Sequence, residues 1–211
     1  MLVTIVFLCA LCLRLVFIYE LLHQNALSYN AFSTMPRAGF LTNDSGGYIE
    51  LAENFFSYYF GPEARWDTLM RSPGYPAFCA VFYNLGISHA GVLVAQAVLA
   101  SVIPVLTMIL AHMLSGRLLF AACAGLLSAV SPTGIGLCGL IMGDMVFSVV
   151  LIGGLFCLCR SALKAQGAQL MLSGLLFSAA FLVKPILIFW PICMIAGYYL
   201  FCRAATTKPN V

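Results

Sequence analysis

Two acids and two bases could carry chemistry in a chain that is otherwise mostly apolar. Asp44 and Arg71 lie in one polar stretch, residues 23–76, whereas Asp144 begins an apolar segment and Lys184 interrupts a long apolar run. A carboxylate at the boundary between water and lipid can accept a proton from a hydroxyl group. A guanidinium group grips phosphate through paired hydrogen bonds. Charge within a membrane is costly, so an intramembrane lysine is by default a candidate for a functional site.

Each of these four residues also has a purely structural interpretation. Asp44 and Asp144 each precede a predicted helix, where an aspartate can cap the free N–H groups of the first turn. Arg71 at a membrane surface can anchor the chain by extending its charge into the headgroups. The free-energy cost of the Lys184 charge is small if the apolar stretch around it forms two helices and the lysine lies in the connection between them. The sequence leaves both interpretations open.

The composition indicates that lipid surrounds most of this chain. Of its 211 residues, 63% are hydrophobic and 8% are charged, and the mean hydropathy is +1.02. Soluble domains carry about a quarter charged residues, so a soluble globular protein is excluded. The net charge of +3 is small and dispersed, and nucleic acid is not expected as a partner.

Several apolar runs approach the roughly 20 residues that a helix needs to cross a bilayer. Backbone polar groups in lipid must be satisfied internally, and the runs are therefore expected to be helices. The predicted segments are residues 2–22, 75–85, 91–114, 118–137, 145–159, 170–183 and 186–202. We expect one all-α membrane domain, residues 1–211, built as a multi-pass bundle of about seven segments.

The long outer loop, residues 23–76, is predicted to carry a helix over residues 45–60. The apolar side chains of this predicted helix fall on one broad face, which is typical of a helix lying in the headgroup region. That face comprises Tyr48, Leu51, Ala52, Phe55, Phe56 and Tyr59, and the opposite face is mainly Glu50, Glu53, Asn54 and Ser57.

The basic residues predict the orientation of the bundle, because loops rich in lysine and arginine face the cytoplasm. The basic residues that end apolar segments are Arg117, Arg160, Lys164, Arg203 and Lys208. If the nearly uncharged N-terminus is also cytoplasmic, Asp44, Asp144 and Lys184 converge on the opposite face of the membrane.

This topology requires an odd number of crossings between Pro73 and Arg117. Residues 75–85 and 91–114 look like two segments, which would be an even number. Either the first of them penetrates the membrane only halfway, or Pro104 divides the second into two short crossings. We favour division at Pro104.

Two further features concern pairing. Arg14, inside the first segment, is expected to face the bundle and to pair with an acid such as Glu20 or Asp144. All nine cysteines lie in or beside apolar segments, so we interpret them as small apolar side chains rather than as a disulfide framework. No Cys-x-x-Cys pair accompanies a histidine pattern, so a structural zinc site is unsupported and no cofactor is expected. A divalent cation is left open, without support from the sequence.

The order of the candidate residues resembles the N-terminal membrane module of the GT-C glycosyltransferases, in particular the protein mannosyltransferases and the lipid A aminoarabinose transferases. In that family the first helix leads to a large outer loop whose early acid is catalytic, which corresponds to Asp44. The resemblance covers nearly the whole chain. The other matching stretches are Tyr48 with Leu51-Ala52, Arg71-Ser72-Pro73-Gly74-Tyr75-Pro76, Ser131-Pro132 with Asp144, and Leu182-Val183-Lys184-Pro185.

The resemblance implies an inverting hexosyl- or pentosyltransferase that uses a polyprenyl-phosphate sugar and a lipid, glycan or protein acceptor. Transfer would take place on the non-cytoplasmic face of a bacterial inner membrane. Asp44 would be the general base, and Arg71 and Lys184 would stabilise the departing phosphate. Asp144 would be a supporting acid or an acceptor contact. The implied site residues are Asp44 and Asp144 as catalytic groups, with Tyr48, Arg71, Tyr75 and Lys184 as substrate-binding groups.

Two other functions stay open. Members of the family usually continue well past a seventh segment, whereas this sequence ends at Val211. It is therefore also consistent with a truncated or non-catalytic membrane subunit that needs a partner subunit. A small transporter would need Arg14, Asp144 and Lys184 along a common path, and the sequence shows no inverted repeat of the kind that many transporters contain.

Overall fold

The structure is a computed structural model and describes residues 1–32, 43–61, 71–164 and 166–186. Within these ranges the chain is helical and contains no β-strand. The predicted all-α class is confirmed, and its cause is the internal satisfaction of backbone polar groups that an apolar environment demands.

Ten α-helices and one 3₁₀ turn follow one another in the described residues. They are α1 (Leu2–Phe32), α2 (Asn43–Glu53), α3 (Phe55–Phe60), α4 (Gly74–Asn84), α5 (His89–Ala100), α6 (Val102–Ser115), α7 (Leu118–Ala129), α8 (Pro132–Gly136), the 3₁₀ turn (Leu137–Gly139), α9 (Asp144–Lys164) and α10 (Gly167–Val183).

Fewer of these helices reach the length of a membrane span than the seven predicted segments. Among the described residues, three stretches are long and apolar enough: Leu2–Gln24, His89–Ser115 and Asp144–Leu163. A fourth consists of two pieces, Leu118–Ala129 and Pro132–Gly139, that meet at an angle of 46°. Helix α10 has 17 residues, at the lower limit for a span. The last predicted segment, residues 186–202, lies outside the described residues beyond its first position.

The preferred division at Pro104 is wrong. Helices α5 and α6 together form one apolar stretch of 27 residues, His89–Ser115. Pro104 occupies the first turn of α6, where a missing N–H group costs least. Helix α4 has 11 residues and is about 16 Å long, roughly half the thickness of a bilayer core. One span-length stretch therefore connects Pro73 to Arg117, which removes the parity problem.

The bundle has two distinguishable ends, which we name by one residue each. At the Arg117 end, α6 ends at Ser115 and the first residues, Met1 and Leu2, share a small cavity with Leu118. At the Asp144 end, α9 begins at Asp144. Helix α10 returns antiparallel to α9, so its last residues also lie at the Asp144 end.

Small residues let α9 and α10 pack closely. The Ser173 hydroxyl donates a hydrogen bond of 2.9 Å to the Gly154 carbonyl across the two helices. A Cβ atom on Gly154 would lie 2.9 Å from the Phe177 ring, so any other residue there would displace that ring. Close backbone approach at small residues is the usual way in which membrane helices gain packing energy. This contact sets the register that brings the ends of α9 and α10 together.

One face of helix α4 packs into the Asp144 end of the bundle, and the buried residues of that face are Tyr75, Pro76, Cys79 and Ala80. Tyr75 is fully buried in a cluster that includes Ile18 of α1 and Leu93 of α5. Its phenol donates a hydrogen bond to the Gln96 side-chain oxygen. The Gln96 amide nitrogen donates in turn to the Leu140 carbonyl at 3.0 Å. These bonds satisfy polar groups that would otherwise be buried without partners.

The single helix predicted over residues 45–60 is instead two helices, α2 and α3. They meet at Asn54, whose backbone (φ −115°, ψ 31°) is not helical. Leu51 and Ala52 of the predicted apolar face are buried, whereas Phe56 is 72% exposed. Helix α2 thus packs against the bundle through part of that face, and its location at a lipid–water boundary stays a prediction.

Candidate functional site

Asp44 and Arg71 form an ion pair at the start of α2. Arg71 Nη2 lies 3.3 Å from Asp44 Oδ1, and Nη1 donates a hydrogen bond of 2.9 Å to the Asp44 carbonyl. Asp44 is in the first turn of α2 and not at the cap position that the sequence suggested. A negative charge in the first turn is favoured by the helix dipole.

The local backbone around Arg71 is held by a tyrosine of α3. The Tyr59 hydroxyl donates a hydrogen bond of 2.9 Å to the Arg71 carbonyl. Burial raises the pKa of Tyr59 to about 12, and the neighbouring Tyr48 adds to the effect. The phenol therefore stays protonated and remains a donor at physiological pH, which fixes Arg71 relative to α3.

The Arg71 guanidinium group packs against Gly47 and Tyr48, and we call these two residues its seat. A Cβ atom on Gly47 would lie 2.8 Å from Arg71 Cζ, closer than such atoms can approach. The guanidinium carbon lies 5.0 Å from the centre of the Tyr48 ring, within the range of a cation–π interaction. The absence of a side chain at position 47 therefore allows Arg71 to reach the Asp44 carbonyl and carboxylate together.

The Asp44–Arg71 pair is accessible to solvent. The Asp44 side chain is 63% exposed and the Arg71 side chain 33% exposed. An exposed ion pair contributes only about 0–1 kcal/mol to stability. Both groups can consequently contact a bound molecule at little cost to the fold.

Asp144 and Lys184 form a second pair at the same end of the bundle. Lys184 Nζ lies 2.6 Å from Asp144 Oδ1, with 31% and 28% of the respective side chains exposed. Asp144 is the first residue of α9 rather than its cap. Lys184 follows the last residue of α10, and its N–H group donates to the Ala180 carbonyl. Asp144 Oδ2 is buried without a hydrogen-bond partner among the described residues.

A continuous chain of contacts connects the two pairs. The Tyr48 ring meets the Tyr75 ring edge-on, with centroids 5.0 Å apart and planes at 88°. A Cβ atom on Gly143 would lie 3.2 Å from Tyr75 Cβ and from Val183 Cγ1. Tyr75 therefore touches both the aromatic seat of Arg71 and the residues that adjoin Asp144 and Lys184.

The backbone approach at Gly74 joins α4 to the end of α10. A Cβ atom there would lie 2.6 Å from the Leu182 carbonyl oxygen, so no other residue fits without displacement of the backbone. Arg71 is three positions before Gly74 and Lys184 is two positions after Leu182. The two cations thus flank one close contact between α4 and α10.

Neither Glu20 nor Asp144, the acids that the sequence suggested as partners, pairs with Arg14 in the described part of the chain. Arg14 is 1% exposed, and its Nη1 donates to the carbonyls of Ala10 at 3.0 Å and Ala129 at 3.4 Å. Glu20 is exposed, and Asp144 is paired with Lys184. Ala129 ends α7, so its carbonyl has no further partner within that helix and is available to Arg14. Arg14 therefore lies at the break between α7 and α8 and does not belong to the cluster at the Asp144 end.

Several residues that shape the site could not be identified from the sequence. Gly47, Gly74 and Gly143 act through what their missing side chains leave room for, and a sequence does not show which backbones meet. Gln96 could have been found, because it is a single polar residue in the apolar stretch of α5. A buried amide in such a stretch needs a partner, and Tyr75 supplies it.

No group of three His, Cys, Asp or Glu side chains converges as metal ligands in the described ranges. The expectation of neither a zinc site nor a cofactor stays a prediction. The comparisons with known proteins add no relative: no family model, curated protein or solved structure matches this chain. The resemblance to GT-C glycosyltransferases therefore also stays a prediction, and the site must be interpreted from its own geometry.

Proposed function

We propose that this chain is a membrane glycosyltransferase of the GT-C type, which transfers a sugar from a polyprenyl phosphate to an acceptor hydroxyl. The observation that supports this most is the meeting of two carboxylates and two cations at one end of an apolar bundle. A lipid-linked sugar phosphate has matching needs. Its phosphate requires fixed cations, its acceptor requires a base, and its prenyl chain requires an apolar surface.

In the proposed reaction the acceptor hydroxyl oxygen attacks the anomeric carbon of the donor sugar, and Asp44 removes the proton of that hydroxyl. The bond between that carbon and the phosphate oxygen breaks, and the electron pair leaves with the polyprenyl phosphate. The anomeric configuration is inverted because attack and departure occur on opposite faces. The exposure of Asp44 supports this role, since an acceptor can reach its carboxylate.

Arg71 and Lys184 would stabilise the negative charge that develops on the departing phosphate. Arg71 offers a fork of donors over the Tyr48 ring, and Lys184 offers the two ammonium protons that Asp144 does not use. Fixed cations at the point where charge develops stabilise a transition state strongly, because they need no reorganisation. Asp144 would hold Lys184 in position, and Tyr48 would line the substrate site. The substrate contact predicted for Tyr75 does not fit its environment, because Tyr75 is fully buried and instead packs edge-on against the Tyr48 ring.

The charge distribution supports an orientation with the Arg117 end in the cytoplasm. Arg117 follows α6 and Arg160 lies near the end of α9, so both basic residues are at the end that contains Met1. By the positive-inside rule the Asp144 end, with its proposed site, would face away from the cytoplasm. Location in a bacterial inner membrane rests on the family resemblance alone.

The test is a transfer assay in proteoliposomes with a series of labelled polyprenyl-phosphate sugars. Wild type should transfer label to an acceptor, and Asp44→Asn should lower turnover by about a hundredfold or more, which is typical for loss of a general base. Glu50→Gln, which removes an exposed carboxylate from the same helix, is the matched control and should keep wild-type turnover. Equal turnover in Asp44→Asn would refute the mechanism and favour a non-catalytic subunit.

One observation favours a transporter as the second candidate. Buried Arg14 lies against the end of α7, where the helix pair of α7 and α8 is bent by 46°, and discontinuous helices beside charges are typical of transporter sites. A transporter requires alternate access of water to Arg14, which is 1% exposed in this conformation. Cysteine substitution at position 14, in a variant whose native cysteines are replaced by alanine, with thiol labelling from each side of sealed vesicles tests this: labelling from both sides would favour transport.

A further inference from the structure

A cleft separate from the ion pairs lies at the C-terminal end of α2, away from Asp44. Its volume is about 400 Å³, within the range of small-molecule sites. It opens between α2 and the turn that connects α4 to α5, and we call it the Glu53 cleft. The residues that line it are Ala52, Glu53, Tyr83, Asn84, Ile87, Ser88 and His89. None of them takes part in the ion pairs described above.

One side of the Glu53 cleft is ordered by a bond between two rings. The Tyr83 hydroxyl and His89 Nδ1 are 2.9 Å apart, and the rings meet edge-on with centroids separated by 5.3 Å. Burial raises the pKa of Tyr83 above its ordinary value, so the phenol stays neutral. His89 is thereby held in one orientation, and its second ring nitrogen can bond a ligand.

Three other polar side chains at the cleft are available for a ligand. Glu53, Asn84 and Ser88 are exposed, and their side chains make no hydrogen bond to another residue in the described part of the chain. Ser88 precedes α5, yet its hydroxyl does not cap that helix. Together these groups offer a carboxylate, an amide and a hydroxyl on one small surface.

The charge of the lining indicates what this cleft can hold. Glu53 contributes a carboxylate, and no lysine or arginine is among the described residues that line the cleft. An anion such as a phosphate would meet repulsion without compensation. Hydroxyl groups can donate to the carboxylate and accept from the amide, while Ala52 and Ile87 supply apolar contacts. This combination of a few polar groups and small apolar patches matches a neutral sugar.

We infer that the Glu53 cleft binds a neutral, hydroxyl-rich sugar unit of the acceptor, an assignment that rests on the proposed transferase function. Asp44 lies in the first turn of the 11-residue helix α2 and Glu53 is its last residue. At a rise of about 1.5 Å per residue, about 13 Å separates the two. An acceptor longer than one sugar unit can therefore occupy the cleft while it presents a hydroxyl to Asp44.

The test measures saccharide binding apart from transfer, with the full chain in lipid nanodiscs. Neutral trisaccharides of glucose, galactose, mannose and N-acetylglucosamine are titrated by calorimetry. At least one should bind saturably, and Glu53→Ala and Asn84→Ala should each weaken it by about tenfold. Both residues are exposed, so unfolding temperatures should be unchanged. Glu50→Ala is the control on the same helix outside the cleft and should bind as wild type.

Failure of this inference can be told apart from failure of the transferase proposal. Asp44→Asn should still bind the trisaccharide saturably although it lacks turnover, which would support the cleft as a separate sugar site. Absence of binding by all four trisaccharides would overturn the inference. Unchanged affinity in Glu53→Ala and Asn84→Ala, or tighter binding of a phosphorylated saccharide than of its neutral form, would overturn it as well.

Discussion

The Asp144 carboxylate and the Lys184 ammonium group lie 2.6 Å apart, although 40 residues separate them in the sequence. Asp144 begins α9 and Lys184 follows the end of α10, so the pair joins these antiparallel helices at the end opposite their connection. Each charge also lies near the helix terminus of opposite partial charge, which lowers its cost in an apolar bundle.

The first prediction concerns the mutual dependence of these two residues. Asp144→Asn and Lys184→Met should each lower the free energy of unfolding by about 2 kcal/mol, because each leaves a partly buried charge without its partner. The double variant should lose less than the sum of the two. Chemical unfolding in detergent measures all three values. Additive losses would mean that the pair does not couple the ends of α9 and α10.

The second prediction uses two adjacent glycines of α2 as a matched pair. Gly47→Ala should displace the Arg71 guanidinium group, since a Cβ atom there would lie 2.8 Å from Arg71 Cζ. Nothing lies within 4 Å of a Cβ atom on Gly46. Both substitutions add helix propensity of about 0.5–1 kcal/mol. Only Gly47→Ala should reduce sugar transfer, measured in proteoliposomes; equal activity of the two variants would show that the seat of Arg71 is not needed.

The third prediction concerns the bond between Tyr75 and Gln96. Tyr75→Phe should lower the free energy of unfolding by about 1–3 kcal/mol, because it leaves the buried Gln96 oxygen without a donor. Gln96→Leu in the Tyr75→Phe background removes that orphaned group and should recover part of the loss. Thermal unfolding in detergent reports the order of the three proteins. A double variant less stable than Tyr75→Phe would contradict the account.

The class of the fold could be predicted because it follows from the length and composition of apolar runs. The sequence predicts apolar segments over residues 2–22 and 145–159, and Leu2–Gln24 and Asp144–Leu163 have the length and hydropathy of a span. The predicted division of residues 91–114 at Pro104 is wrong. A proline signals a break only where its missing N–H group would have had a partner, and in the first turn of α6 that loss is small.

The pairing within the site could not be predicted from the sequence. Asp44, Arg71, Asp144 and Lys184 were each conspicuous, but the sequence does not tell which acid meets which base. The partner of Lys184 depends on the antiparallel register of α9 and α10, which the Gly154–Ser173 contact sets. Arg14 was expected to take an acid and instead bonds carbonyls at a helix break. Both outcomes depend on tertiary packing, which cannot be read from the residue types alone.

The central claim is that Arg71 and Lys184 bind the same lipid phosphate. The most direct test measures the affinity of the protein for a polyprenyl phosphate that carries no sugar. Wild type, Arg71→Ala, Lys184→Met and the double variant are compared in nanodiscs, with Arg117→Ala as the control for a cation at the opposite end. Each single variant at the site should lose about tenfold or more in affinity. The double variant should lose less than the product of the two, and Arg117→Ala should lose nothing. Unchanged affinity in both single variants, or losses that multiply independently, would contradict a shared site.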